Sequence, residues 1–171
     1  MLTTPDRAMP QTAPSSVLPC CTFRVGDDCF AIDSALVVEV LRGGDPVRVP
    51  LAPDGVLGLV HLRGRIVPII DLADRLGVAP RAAARADTHL VIRLQDDWYG
   101  LIVDEMLDVI DIPSDGIEHP TAGAGEVPGE PRVGVFAAAD RLVHLLDPQR
   151  MIQFLVRQRT QPPGRHGVSH G

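Results

Sequence analysis

The chain has 171 residues, 45% of them hydrophobic, and a formal net charge of -6 at pH 7. This length and composition are typical of one ordinary soluble domain, or of two small ones, with a real core. All 16 basic residues are arginine and only 4% of residues are aromatic. These features argue against a nucleic-acid surface, because phosphates need clustered positive charge and bases need aromatic partners. The chain also lacks an apolar run of the roughly 18 residues that a membrane span needs, a secretory signal and enough cysteines for a disulfide framework. We therefore expect a reduced, cytoplasmic protein that does not insert into a membrane.

The first predicted element is a β-hairpin. Phe23 and Val25 precede the segment Gly26-Asp27-Asp28, and Phe30 and Ile32 follow it. Apolar residues that alternate on both sides of a short Gly/Asp turn are typical of two half-buried antiparallel strands. A further apolar segment, residues 35–42, continues this pattern as a third strand.

The segment GLVHLRGRIVPIIDL, residues 58–72, predicts a second hairpin around the turn Arg63-Gly64. Pro68 cannot donate a ladder hydrogen bond, so its strand is expected either at a sheet edge or with the missing donor facing outward. A short helical turn follows, with Asp71 as its N-cap and Gly77 as its stop.

The chain then repeats itself. Residues 23–33 match residues 92–102, within the segment 92–104, at an offset of 69, and residues 58–72 match the segment that begins at Gly134 at an offset of 76. The seven extra residues are assigned to the Pro/Gly-rich loop 119–131. A duplicated unit of about five short strands with Gly/Pro turns predicts two small barrels side by side.

The repeat and the flanking composition divide the chain into predicted parts. After Asp147, a proline at a first helical position and apolar residues at helical spacing predict a closing helix with Met151, Ile152, Leu155 and Val156 on one face. The predicted parts are a flexible lead (1–18), a double-barrel domain (19–157) made of a first barrel (19–76), a linker (77–87), a second barrel (88–147) and the closing helix (148–157), and a disordered tail (158–171).

These segments resemble the CheW family of bacterial chemotaxis adaptors. The resemblance rests on VVEVLR, on LRG and IVPIIDL in the second hairpin, on GLIVDE, and on VGVF followed by DRLVHLLD, all in the family's order over about residues 19–157. It implies an all-β fold of two SH3-like five-stranded barrels packed about a shared core. It also implies a non-enzymatic adaptor without cofactor or metal that links the cytoplasmic tips of chemoreceptors, the methyl-accepting chemotaxis proteins, to the regulatory domain of the histidine kinase CheA. One departure is His61, where family members usually have asparagine, which leaves the partner preference open.

The resemblance also implies a partner-binding region. The family's receptor-facing arginine, the glycine five residues before it, and a valine and a glutamate of the preceding strand correspond here to Arg63, Gly58, Val37 and Glu39. An arginine on a stiff turn suits two-pronged pairing with a partner carboxylate. Val37 could equally belong to the core. Replacement of an exposed turn arginine is expected to change stability by no more than about half a kcal/mol.

The two halves of the repeat differ at this turn. Arg63-Gly64 aligns with Ala139-Asp140, so the receptor-binding residues are expected in the first barrel or at the seam between the barrels, whereas the kinase regulatory domain could meet either end of the adaptor. Two alternative functions remain open: the same fold in another receptor-kinase pathway such as pilus-driven motility, and a small enzyme or ligand-binding barrel that uses His61, Asp71 and Arg63 as a polar cluster. The aspartate pairs 27–28 and 96–97 are interpreted as turn residues.

Overall fold

The protein is described here from a computed structural model that places residues 15–79, 88–120 and 129–159. Strands dominate these residues, with two short 3-10 turns, Ser34–Leu36 and Ser114–Gly116, and two α-helices. None of the helices in these ranges is both long and apolar enough to cross a membrane. The strands are β1 Val17–Val25, β2 Asp28–Asp33, β3 Val37–Arg42, β4 Val56–Leu62, β5 Arg65–Asp71, β6 Thr88–Leu94, β7 Asp97–Val103, β8 Glu105–Pro113, β9 Ile117–Glu118, β10 Arg132–Ala137 and β11 Leu142–Leu146, and the helices are α1 Leu72–Leu76 and α2 Pro148–Arg159.

The strands form two sheets, and each sheet contains the first hairpin of the other half of the repeat. The five-stranded sheet has the order β3-β6-β7-β5-β4, and the six-stranded sheet has the order β8-β1-β2-β11-β10-β9. Because β6 and β7 repeat β1 and β2, the two orders are equivalent apart from the additional β9. The register repeats too: Ile69 pairs with Gly100 in one parallel ladder, and Leu145 pairs with Ala31 in the other. The predicted all-β class, with two related barrels and a carboxyl-terminal helix, is confirmed.

The hairpin exchange corrects the predicted barrel boundaries. We expected residues 19–76 in one barrel and residues 88–147 in the other, but β1 and β2 lie between β8 and β11 in the sheet of the second half. The sequence could not reveal this, because the first hairpins of the two repeats carry the same alternating pattern and fit either sheet. Strand β1 starts at Val17, two residues before the predicted start of the double-barrel domain.

Three apolar clusters hold the sheets together. Each sheet has one cluster on its concave face, and the third and largest cluster lies between the two sheets. Successive residues of a strand alternate between clusters, since their side chains point to opposite faces: Ala31 of β2 packs inside its own sheet, whereas Phe30 and Ile32 face the shared core. In β6, Val91 packs inside and Leu90 and Ile92 face the shared core. A core shared between two barrels is therefore observed.

The helices end and pack largely as predicted. The Asp71 carboxylate accepts a hydrogen bond from the Asp74 amide, and Gly77 ends α1 in the left-handed conformation. Met151 of α2 is fully buried in the shared core, with Ile152 and Leu155 packed against it. The predicted closing helix is confirmed, and it extends to Arg159 rather than 157. Residues 1–14, 80–87, 121–128 and 160–171, which include most of the predicted lead, linker, Pro/Gly loop and tail, lie outside the described residues.

Pro68 occupies an inner strand, so of the two alternatives left open by the sequence, an edge strand or an outward-facing missing donor, the edge strand does not apply. Strand β5 lies between β4 and β7, but its parallel ladder with β7 covers only Ile69 to Asp71. Pro68 pairs with Leu59 of β4. The ladder on the β7 side therefore begins just after the residue that lacks an amide hydrogen.

Cys29 lies too far from Cys20 and Cys21 to form a disulfide with either of them. Cys29 pairs with Arg24, which is three residues from Cys21 and four from Cys20, so at about 3.3 Å per residue they are about 10 to 13 Å apart along the strand. A disulfide needs Cα atoms within about 7 Å. All three thiols are free.

We expect an alkaline loss of stability from Cys20. Burial, aided by the charge of Asp33, raises the pKa of this thiol from 9.0 to about 11. Between these two values the unfolded chain loses the proton and the folded chain keeps it, so the free energy of unfolding should fall as pH rises from about 9 to 11. Urea unfolding measured across this range checks the slope. The Cys20→Ala variant should show a flatter slope, and an equal slope in both proteins would contradict the assignment.

Candidate partner-binding site

The turn between β4 and β5 has the two-residue form that the sequence predicts. Leu62 pairs with Arg65, and the two residues between them, Arg63 and Gly64, have positive φ angles of 50° and 76°. Positive φ at both positions is the geometry of a type I′ hairpin turn, which favours asparagine followed by glycine. An arginine in the left-handed region costs about 1 to 2 kcal/mol. Such a residue in a strained conformation is a candidate for function through its side chain.

Arg63 is paired with Glu39, a residue 24 positions earlier in the chain. Its Nη2 donates to Glu39 Oε2 at 2.6 Å. Glu39 belongs to β3 and Arg63 follows β4, and these are the outer strands of the five-stranded sheet. Val38 and Leu41 of β3 and Val60 and Leu62 of β4 pack on the same inner cluster. The sheet thus curls until its two edges approach each other, and the ion pair connects them.

The two partners of this ion pair differ in exposure. The Arg63 side chain is 68% exposed, whereas that of Glu39 is 19% exposed. The second carboxylate oxygen of Glu39, Oε1, is buried and accepts no hydrogen bond from the residues that the structure describes. The Arg63 guanidinium makes one hydrogen bond to Glu39, and most of the Arg63 side-chain surface remains available to a partner. The structure therefore brings together two of the four predicted site residues, Arg63 and Glu39, and Arg63 is the accessible one.

Gly58 and Val37 are less accessible than the predicted site required. Gly58 is buried, and a Cβ atom at this position would lie 2.6 Å from the Val47 carbonyl oxygen. Gly58 is therefore not accessible to a partner. Its lack of a side chain permits the close approach of residues 46–47. Val37 is half-buried and packs against the shared core. Of the two readings left open by the sequence, the structure favours the core for Val37.

The corresponding loop of the second half has a different form. Strands β10 and β11 are joined by four residues, Ala138 to Arg141, closed by a hydrogen bond from the Ala138 amide to the Arg141 carbonyl. Arg141 contacts Asp140, its neighbour in sequence, at 3.4 Å. Among the residues that the structure describes, this longer loop forms no ion pair that connects two sheet edges. The two ends of the duplicated scaffold therefore present different surfaces.

The polar cluster proposed for an enzyme is not formed. Asp71 caps α1 at one end of β5, and Arg63 adjoins the other end. Seven residues of extended strand separate these ends by about 20 Å. The aspartate pairs 27–28 and 96–97 lie at hairpin turns, as interpreted from the sequence. Within the described ranges, no three His, Cys, Asp or Glu residues are grouped so that they could hold a metal ion.

Sequence reasoning missed an apolar groove on the five-stranded sheet. It has a volume of about 610 Å³ and is lined by residues that include Leu51, Ile66, Pro68, Trp98 and Tyr99. The sequence signal for this groove was a cluster of apolar residues on both sides of the β3–β4 connection. Their periodicity is equally compatible with residues of the buried core.

The chain is similar to known proteins over most of its length. A family model described as CheW-like domain matches residues 19–155. The chemotaxis protein CheW of Rhizobium meliloti is 33% identical over 128 residues, which are 73% of this chain and 81% of that protein. Protein FrzA of Myxococcus xanthus is 31% identical over 159 residues, 91% of this chain and 96% of that protein.

A solved structure shares the fold. The scaffolding protein TtCheW from Thermoanaerobacter tengcongensis superposes with a TM-score of 0.68 at 24% identity, over 77% of this chain and 90% of that one. This likeness concerns the fold, and the family model and the sequence relatives carry the assignment. With matched segments that run from β1 to α2 and with two barrels that share one core, the chain belongs to the CheW-like family.

Proposed function

We propose that this protein is a non-enzymatic chemotaxis adaptor that couples the cytoplasmic tips of chemoreceptors to the regulatory domain of the histidine kinase CheA. Family membership supports the adaptor role, and several relatives are named chemotaxis protein CheW. The observation that carries the proposed site is the exposed Arg63, which a strained turn and Glu39 hold in one place. The protein would act in the cytoplasm and reach receptor arrays through its partners.

The geometry explains how Arg63 would contribute to binding. A side chain that is already ordered loses less conformational freedom when a partner binds. Glu39 supplies this order from one side, and the remaining guanidinium hydrogens can bind a partner carboxylate or carbonyl oxygen. Gly58 contributes indirectly, through the backbone beside it. Individually weak contacts suffice in an array, because linked binding sites raise the effective concentration.

The proposal is tested by co-sedimentation with receptor-bearing membranes, with and without the kinase. Arg63→Ala should weaken receptor binding by about 1 to 2 kcal/mol, since the variant removes an ordered interface arginine. Asp140→Lys is the matched control, because it alters charge on the equivalent loop of the other half, and it should leave receptor pelleting unchanged. Equal losses for both variants would contradict the assignment of the site. Unchanged pelleting of both, at receptor levels that pellet the wild type, would contradict the proposed receptor contact.

A second pathway is favoured by one comparison. The match to FrzA spans more of this chain than the match to the Rhizobium protein, 91% against 73%. The same fold and the same Arg63 site would then serve another receptor-kinase system. Parallel co-sedimentation with receptors of each system from the source organism distinguishes the two, since the cognate receptor should pellet more protein.

A further inference from the structure

The face of the five-stranded sheet that forms the shared core is covered only in part. Ile66 and Ile70 lie on the same face of β5, four residues apart. Ile70 is fully buried in the shared core, whereas Ile66 is 60% exposed. The six-stranded sheet and α2 thus leave one end of an apolar face open, and this open end is the floor of the 610 Å³ groove.

Helix α2 runs past this groove. Met151 in its first turn is fully buried in the shared core, and Leu155, one turn later, lines the groove. The helix continues to Arg159, about 6 Å further along its axis. Three extended residues span about 10 Å, so Pro162 can turn back from the end of the helix and reach the rim that Leu155 forms.

The residues that follow the helix suit an apolar groove with aromatic walls. The segment TQPPGRHGVSHG, residues 160–171, has Pro162 and Pro163 side by side. Consecutive prolines favour the polyproline II conformation, which is ordered before binding and packs on aromatic-lined grooves. The single tryptophan and the single tyrosine of the chain, Trp98 and Tyr99, both line this groove. A proline pair therefore finds aromatic partners here at a small cost in conformational entropy.

The charge of the carboxyl-terminal region is compatible with the same contact. Residues 148–171 contain four arginines and no aspartate or glutamate, although the whole chain has a net charge of -6. Asp97 lines the groove and forms no ion pair within the described part of the chain. Arg65, the cation of the groove, already lies over the Trp98 ring at 5.0 Å. Arg165 is therefore a cation that the segment can bring to Asp97.

We propose that residues 160–171, the carboxyl-terminal segment, fold back over this groove and cover it, with Pro162 and Pro163 packed against Ile66 and Tyr99. Because the segment is tethered to α2, its concentration at the groove is on the order of millimolar, and a weak contact suffices to hold it there. The segment competes with any partner that uses this groove, so it regulates access to this end of the sheet. This autoinhibitory contact uses other residues than the receptor site proposed above and does not depend on that site.

Nuclear magnetic resonance of the full chain tests the contact directly. Ring protons of Pro162 and Pro163 should show nuclear Overhauser effects to the side chains of Ile66 and Tyr99. These effects should be unchanged on dilution, because the segment belongs to the same chain. Ile66→Asp should abolish the effects to Tyr99, and circular dichroism checks that this variant keeps its fold.

Acrylamide quenching of Trp98, the only tryptophan of the chain, gives a second readout. In the double variant P162S/P163S the quenching constant should rise about twofold, because quenching follows the fraction of molecules in which the groove is open. P10S/P14S is the matched control, since it makes the same exchange of two prolines near the amino terminus. This control should be quenched as the wild type is.

Equal quenching of P162S/P163S and the wild type overturns the proposal, as do wild-type spectra without contacts between the two prolines and the groove. A rise in quenching for P10S/P14S alone would assign the groove to the amino-terminal segment. Contacts that disappear on dilution would assign it to the tail of another molecule. Either of these results would show that the segment does not cover the groove of its own chain.

Discussion

Gly58→Ala should lower the free energy of unfolding by about 2 to 3 kcal/mol, within the range for overpacking a close contact. The added Cβ would lie 2.6 Å from the Val47 carbonyl oxygen and 2.9 Å from the Pro46 Cβ. Both neighbours belong to a backbone segment that exchanges two hydrogen bonds with Leu59, at 2.8 and 2.9 Å. The segment must move away, and these two hydrogen bonds should be lost with it.

Urea unfolding measures the loss of stability, and amide hydrogen exchange locates it. The Val47 and Leu59 amides should lose protection in Gly58→Ala before the rest of β4 does. Gly43→Ala is the matched control, since no atom lies within 4 Å of a Cβ at Gly43. Its positive φ of 74° should cost only about 1 kcal/mol. Retained protection of Val47 and Leu59 in Gly58→Ala would show that the close approach is not essential.

Arg63→Glu is expected to have the second large effect, on stability and on receptor binding together. It would place a second carboxylate beside Glu39, whose side chain is only 19% exposed. Leaving a largely buried charged group without its partner costs about 2 kcal/mol. For the same reason Arg63→Ala should cost about 1 kcal/mol, more than the half kcal/mol expected for an isolated turn arginine.

The reversed pair E39R/R63E separates the two roles of this ion pair. Stability should recover in large part, because opposite charges again face each other between the sheet edges. Receptor binding should not recover, because a partner that pairs with an exposed guanidinium now meets a carboxylate. Thermal unfolding and receptor co-sedimentation of the four proteins form a double-mutant cycle. Recovery of binding along with stability would mean that the pair acts only through the architecture of the barrel.

Much of the fold follows from short segments, because the deciding interactions are local. The two-residue turn at Arg63-Gly64, the cap at Asp71 and the stop at Gly77 each depend on backbone conformations and hydrogen bonds within a few residues. The repeat predicted two related barrels, and the periodicity after Asp147 predicted α2. The candidate site was predicted from the family resemblance, and the structure brought two of its four residues, Arg63 and Glu39, into contact.

The sequence by itself determined the strands, their turns and the duplication, whereas the tertiary structure decided which strands pair across the halves. Alternation specifies which face of a strand is apolar, but it does not choose between two sheets that offer equivalent edges. Only the folded chain places β1 and β2 beside β8 and β11. The same closure of the five-stranded sheet joins Glu39 to Arg63 across 24 residues. The packing of the two sheets also leaves Ile66 exposed although Ile70, four residues along the same strand, is buried, because burial of a sheet face depends on what packs against it.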